Sequence, residues 1–125
     1  MKKRKINNGV MEILNKENYC ILSVSEKAVD DMIHVCVSGR IITEAAHEFE
    51  DELMACITVC KRIVLDFENV THISSMGLNT LLSVQRILDD DPYSFFKIIN
   101  VNSEVYQEFK DVGFHELLII EQANR

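Results

Sequence analysis

The most constraining feature of the sequence is a change of hydrophobic periodicity in the middle of the chain. Residues 63–67 read Ile-Val-Leu-Asp-Phe, a mainly apolar run that is too short for a helix and predicts a buried strand. We expect a loop of about six residues to follow it. From Met76 onward, apolar residues recur every three or four positions, which predicts an amphipathic helix. The members of this pattern are Leu78, Leu81, Leu82, Val84, Ile87 and Leu88.

Two serines lie where this helix is expected to begin. Ser74 or Ser75 is its natural N-cap, because a serine oxygen can accept a hydrogen bond from a backbone N–H group that the first helical turn leaves without a partner. Gly77 is tolerable in the first turn and lets another backbone or a partner approach closely. By position alone, a capping role and a phosphate-accepting role both stay open for the serine pair.

The rest of the chain alternates between strand and helix patterns. Strands are predicted at residues 19–24, 33–37, 95–100 and 117–120. A helix over residues 44–60 is expected to have Thr43 as its N-cap, and a short helix after Asn102 is expected to stop at Gly113. This order predicts an α/β fold with a mixed, mostly parallel sheet that opens with a hairpin and packs against the helices.

Within this pattern, residues 38–40 are expected to break the second strand. The helix over residues 44–60 has an apolar stripe and an outward-facing polar side. The stripe consists of Ala45, Ala46, Phe49, Leu53, Cys56 and Ile57. The polar side consists of Glu44, His47, Glu48, Asp51 and Glu52.

The length of 125 residues and the hydrophobic content of 47% fit one domain with its own core. We expect a basic tail or marginal helix over residues 1–18, the domain over residues 19–120, and a C-terminal tail over residues 121–125. No apolar run approaches about 18 residues and no signal-peptide pattern opens the chain, so we predict a cytoplasmic protein without membrane insertion.

The net charge of −7 is unevenly distributed. Residues 2–5 hold four of the 13 basic residues, and the nine others face 20 acidic residues, a balance of −11. This acidic body predicts that nucleic acid is not a partner.

The sequence offers no catalytic or cofactor-binding constellation. It has no Gly-rich phosphate loop and no Gly-x-Ser-x-Gly elbow, and its four histidines lack the spacing of metal ligands. The four cysteines are predicted to be reduced core thiols, and the acidic residues 89–91 are predicted to form a solvated loop. We therefore predict a protein that is not an enzyme and that carries no cofactor or metal.

Residues 64–82, VLDFENVTHISSMGLNTLL, resemble the signature of the STAS family, which includes the bacterial anti-sigma factor antagonists. In that family, a strand ending in aspartate precedes a loop, a short Ser/Thr-x-Gly-Leu motif and a helix. Residues 38–41 and 111–114 are similar to two further turns of the family, and the resemblance spans roughly residues 19 to 120. It implies an α/β fold and reversible binding to proteins.

In the antagonist branch, the resemblance implies a protein partner, an anti-sigma factor with serine kinase activity, and a phosphatase that reverses the modification. Aligned on the Gly-Leu pair, the phosphoacceptor falls on Ser75. The implied partner-binding residues are Ser74, Met76, Gly77, Leu78, Asn79, Arg40 and Ile42.

The chain departs from the antagonist pattern at three positions. Ser74 and Ile42 stand where antagonists often carry aspartate, and Met76 stands where many have a small residue. These departures motivate an alternative, a binding or scaffold module that is not phosphorylated, such as a regulatory subunit of a transport or signalling complex. Small-ligand or nucleotide binding at the same loop is a third hypothesis.

Overall fold

The computed structural model describes residues 3–7, 10–14, 20–25 and 31–123, with side chains only for residues 31–123. Within these described residues, seven strands form one sheet in sequence order and three helices accompany it, which confirms the predicted α/β class and mixed sheet. The strands are β1 Lys3–Asn7, β2 Val10–Leu14, β3 Cys20–Ser25, β4 Ile33–Ile41, β5 Arg62–Ile73, β6 Phe95–Val101 and β7 Ile119–Gln122. The helices are α1 Thr43–Val59, α2 Ser75–Leu88 and α3 Ser103–Asp111, with a 3₁₀ turn at Phe114–Glu116.

The sheet has an antiparallel half and a parallel half. The pairs from β1 to β4 are antiparallel, and the pairs from β4 to β7 are parallel. One helix fills each parallel connection, as a crossover between adjacent parallel strands requires. Because such crossovers are right-handed, the three helices cover the same face of the sheet.

Burial along the strands agrees with this two-layer arrangement. In β4, Ile33, Val35 and Val37 are buried, while His34 and Cys36 between them are exposed on the opposite face. The six apolar residues predicted for the stripe of α1 are all buried against the sheet and α2. The described core therefore lies between the helices and one face of the sheet.

The two central strands are longer than predicted, and the expected six-residue loop before α2 is wrong. β4 continues to Ile41 and β5 to Ile73, and these two residues are register partners at the end of the pair. The pairing passes two irregularities, between Cys36 and Ser38 and between Gly39 and Arg40. Gly39 has a φ of 95°, which glycine adopts without strain, so residues 38–40 bend the strand without ending it.

Two details of α1 also differ from prediction. The helix begins at Thr43, and its N-cap is Ile42, which makes no capping side-chain hydrogen bond. Glu52, predicted to face solvent, is only 2% exposed. It lies three residues after Phe49 and four before Cys56, so it belongs to the margin of the buried stripe, which is wider than the apolar residues alone suggest.

The third helix follows prediction closely. The side chain of Asn102 accepts a hydrogen bond from the backbone N–H of Val105 at 2.9 Å, so Asn102 is the N-cap. Gly113 follows α3 in the left-handed region with φ 77°, as expected of a helix stop. β7 begins at Ile119, two residues later than predicted, because the 3₁₀ turn occupies the approach to it.

The predicted tail or marginal helix over residues 1–18 is corrected where the structure describes it. β1 and β2 are antiparallel strands, and β2 also pairs with β3. Pairing satisfies backbone N–H and C=O groups along the edge of β3, a gain that the weak local pattern does not reveal. Residues 1, 2, 8, 9, 15–19, 26–30, 124 and 125 lie outside the described residues, and with them the predicted strand start at Tyr19 and part of the C-terminal tail.

Candidate functional site

The candidate site lies at the start of α2, where β4 and β5 end side by side. The backbone N–H of Ser74 donates to the carbonyl of Ile41 at 2.8 Å, which fixes the helix start to the end of β4. The Ser74 hydroxyl oxygen accepts from the backbone N–H of Gly77 at 3.2 Å, and the Ser74 carbonyl accepts from Leu78 at 2.9 Å. Ser74, half-buried, is therefore the N-cap, one of the two caps that the sequence predicted.

Ser75, the predicted phosphoacceptor, is the first residue of α2, and it is exposed. Its own N–H and that of Met76 belong to the first turn, whose N–H groups no carbonyl within the helix reaches. The positive end of the helix dipole lies at the same place. Ser75 is thus exposed at a position that suits negative charge.

Gly77 is buried, and its lack of a side chain is a packing requirement. A Cβ atom built on it would lie 2.8 Å from Cγ2 of Ile41 and 2.8 Å from Cγ1 of Ile73. Both atoms belong to stiff β-branched side chains at the ends of β4 and β5. Gly77 therefore lets the first turn of α2 sit directly on the two strand ends.

The structure divides the seven predicted partner-binding residues into three groups. Gly77 and Leu78 point inward, and Leu78 is only 2% exposed, so neither offers a side chain to a partner. Met76 is 52% exposed, and Asn79 is exposed beside it. The remaining three are the half-buried cap Ser74, exposed Arg40 near the end of β4 and half-buried Ile42 at the start of α1.

A small groove runs between α1 and α2 next to this site. We call it the α1–α2 groove and define it by its lining: Ala46, His47, Glu50, Met76, Asn79, Thr80 and Ser83. Its volume is about 110 Å³. The floor is formed by buried Ala46 and Thr80, and the hydroxyl of Thr80 donates to the carbonyl of Met76 at 3.2 Å.

A structural site that sequence reasoning missed lies in β5. The Oδ1 atom of Asp66 accepts from the backbone N–H of Glu68 at 2.9 Å and from the side-chain amide of Asn100 at 3.1 Å. Asn100 has a φ of 58°, an unusual conformation that asparagine tolerates better than most residues. The aspartate of the family signature thus ties the irregular part of β5 to the end of β6, and no local pattern marks its partner.

The described cysteines do not share one environment. Cys56 is buried, as predicted for a core thiol, while Cys60 is half-buried and its thiol donates to the carbonyls of Asp31 at 3.3 Å and Arg62 at 3.4 Å. Cys36 is exposed on the sheet face away from the helices, so its assignment to the core is wrong. Partial desolvation against the sheet, followed by the nearby carboxylates of Asp66 and Glu68, raises the pKa of the Cys36 thiol.

A larger cavity of about 630 Å³ lies at the opposite end of the parallel strands. Its polar lining groups already bind one another. The Tyr93 hydroxyl donates to the Asp31 carboxylate at 3.0 Å, and Lys61 lies 3.5 Å from the Asp91 carboxylate. Thr58 and Cys60 in its lining bond to backbone carbonyls, so the described polar side chains that line this cavity are all engaged within the protein.

The described residues contain neither a metal-binding cluster nor a membrane-spanning helix. Within residues 31–123, no group of three or more His, Cys, Asp or Glu side chains is arranged to hold a metal ion. No helix among α1 to α3 is long and apolar enough to cross a membrane.

The family model of the STAS domain matches residues 23–124. The chain belongs to the STAS domain family. No curated protein sequence matches it. The match covers β4 to β7 and all three helices, and it includes the serine pair at the start of α2.

Solved structures of two anti-sigma factor antagonists and of one anion transporter contain the same fold. An anti-sigma factor antagonist from Mycobacterium paratuberculosis superposes with a TM-score of 0.72 at 19% identity, over 82% of this chain and 85% of that chain. The antagonist SpoIIAA in its unphosphorylated form gives 0.65 at 16%, over 79% and 86%. The murine Solute Carrier 26 family member A9 anion transporter gives 0.62 at 13%, over 92% of this chain and 18% of that one.

Proposed function

We propose that this STAS protein is an anti-sigma factor antagonist-like regulator that binds an anti-sigma factor with serine kinase activity and is switched by reversible phosphorylation of Ser75. The observation that carries the proposal is the difference between the two serines. Ser75 is exposed as the first residue of α2, whereas Ser74 is half-buried and its hydroxyl caps the same helix. A phosphatase completes the cycle, and the protein itself is neither an enzyme nor a nucleic-acid binder.

A phosphate on Ser75 is compatible with the fold. It adds about −1.5 to −2 charge at the amino end of α2, where the dipole and the free N–H groups of the first turn favour an anion. Because these interactions stabilise the modified helix start, the switch acts on the partner rather than on folding. An unpaired charge buried in an interface costs affinity, and each 1.4 kcal/mol is about tenfold.

The direct test is phosphorylation by the anti-sigma kinase encoded nearest to this chain in its genome. With ATP, the wild-type protein is expected to gain the mass of one phosphate, and Ser75→Ala is expected to gain none. Ser74→Ala is the matched control, because it removes the neighbouring hydroxyl and leaves the acceptor in place. A mass gain that survives Ser75→Ala contradicts the assignment.

A second candidate is a constitutive binding module, for example a regulatory subunit of a transport or signalling complex. The observation that favours it is the pair Ser74 and Met76, an uncharged cap and a large exposed side chain on either side of Ser75. For such a module, Ser75→Asp leaves the affinity for the partner unchanged, whereas a switch loses affinity. Titration calorimetry of the partner with both proteins separates the two, and calorimetry with ATP and GTP tests nucleotide binding at the same loop.

A further inference from the structure

The α1–α2 groove lies between exposed apolar side chains of α2 and acidic side chains of α1. Met76 at its α2 side is 52% exposed, and Ile87 further along α2 is 49% exposed. At about 110 Å³, the groove is smaller than the roughly 300–1,000 Å³ of a typical small-ligand pocket. It has room for single side chains of a protein partner rather than for a whole ligand.

The two helices that form the groove differ in charge. α1 carries five acidic residues and no lysine or arginine, and α2 has Arg86 as its one charged residue. Glu50 lines the groove, and Asp51 next to it keeps about half of its side chain exposed, 3.6 Å from His47. A partner seated here therefore meets an acidic wall on α1 and a neutral wall with Met76 on α2.

We propose that the α1–α2 groove is the docking site for a basic amphipathic helix of the protein partner. An apolar side chain of that helix packs on Met76 over the floor of Ala46 and Thr80. Its lysines or arginines lie along Glu50 and Asp51. Helix-in-groove binding of this kind uses apolar anchors at helical spacing, and complementary charge raises the association rate and fixes the orientation.

The proposal rests on the protein-binding part of the proposed function and not on phosphorylation. Met76, the residue after Ser75, lines one end of the groove, and Asn79 lies about one helical turn further along α2. A helix seated in the groove consequently covers the first turn of α2. Phosphate on Ser75 would then place an added charge at the end of the interface nearest to Met76.

The test uses the full, unmodified chain labelled with ¹⁵N and a short amphipathic helical peptide of leucine and lysine as the probe. Amide shifts are expected to cluster at the groove, at His47, Glu50, Met76, Asn79 and Ser83. The same peptide with glutamate in place of lysine is expected to bind at least about tenfold more weakly, a difference of about 1.4 kcal/mol.

Charge reversal separates a docking site from general attraction to an acidic protein. The double substitution Glu50→Lys with Asp51→Lys is expected to lower the affinity for the leucine–lysine peptide at least about tenfold. Glu104→Lys with Glu108→Lys changes the net charge equally on exposed positions of α3 and is expected to change affinity less than about twofold. Circular dichroism verifies that each variant is folded.

The proposal is overturned if both double substitutions weaken peptide binding equally. It is also overturned if the amide shifts centre on the acidic residues 89–91. The experiment requires neither kinase nor phosphate. Peptide shifts at the groove, together with no phosphate gain on Ser75 in the separate kinase assay, would refute the switch and leave the docking site. Phosphate gain on Ser75 in that assay without peptide shifts at the groove would refute the docking site and leave the switch.

Discussion

Ser74 and Ser75 are adjacent and chemically identical, yet only one of them contributes to folding. The Ser74 hydroxyl satisfies the N–H of Gly77, while Ser75 is exposed. We expect Ser74→Ala to lower the free energy of unfolding by about 0.5–2 kcal/mol, the usual cost of losing a cap. Ser75→Ala is expected to stay within about 0.5 kcal/mol of wild type. Urea unfolding measures both, and equal losses would show that the capping role is misassigned.

Gly77 is the second residue at which the structure makes a sharp prediction. In Gly77→Ala, the added methyl group meets Ile41 and Ile73 at 2.8 Å, so we expect a loss of about 1–3 kcal/mol, as for other overpacked core sites. Gly113→Ala is the comparison, because a Cβ there meets nothing within 4 Å and only the φ of 77° opposes it. We expect the Gly77 loss to grow further for Gly77→Val. Unfolding curves that show no added penalty for the larger side chain would contradict the steric explanation.

The Asp66 side chain in β5 accepts two hydrogen bonds that the sequence of the strand does not reveal. Asp66 receives hydrogen bonds from Glu68 and Asn100, next to the irregular pairing of β4 with β5. Asp66→Ala leaves both donors without this acceptor, and we expect a loss of about 1–3 kcal/mol. Asp66→Asn keeps a carbonyl oxygen at the same place and is expected to recover part of that loss. Chemical denaturation of both variants checks the order, and the idea fails if asparagine is no better than alanine.

The ends of β4 and β5 and the starts of α1 and α2 determine the position of the candidate site. α1 and α2 both begin where a parallel strand ends, and the N–H of Ser74 binds the carbonyl of Ile41 across that boundary. The starts of the two helices are therefore held next to each other by the sheet. An exposed residue at the start of α2 and the groove between the helices consequently belong to one continuous surface.

In the whole molecule, the first two strands lie outside the family match, which covers residues 23–124. Among residues 31–123, whose side chains the structure describes, the buried apolar residues run from Ile33 to Leu118. β1 and β2 lie before that match and extend the sheet from β3.

We therefore expect a chain that begins at Tyr19 to fold. It should keep a single cooperative urea transition and the helical circular dichroism of the full chain, because it keeps all three helices and every residue that the family model matches. The denaturant m-value should fall, since less surface is buried when β1 and β2 are absent. A broad, non-cooperative transition would show that the domain needs its first two strands and would refute the predicted boundary at residue 19.

Local pattern was sufficient for much of this molecule. The alternation of strand and helix periods predicted the α/β class and the three helices, capping chemistry predicted a cap at Ser74 or Ser75 and another at Asn102, and the signature around Gly77 led to the STAS family. These features depend on residues a few positions apart, whose preferences act within one helical turn or one strand. That is why periodicity and capping chemistry could identify them without a structure.

The tertiary structure decided what depends on contacts between distant segments. Pairing between β4 and β5 turned the expected loop into strand, pairing with β3 turned residues near the N-terminus into strands, and packing of α1 buried Glu52. The same packing buried Gly77 and Leu78 and left Ser75 and Met76 exposed at the α1–α2 groove. The resemblance to the STAS signature assigned the phosphoacceptor to Ser75. Only the tertiary structure shows that Ser75 is exposed while Ser74, bonded to Ile41 at the end of β4, is half-buried.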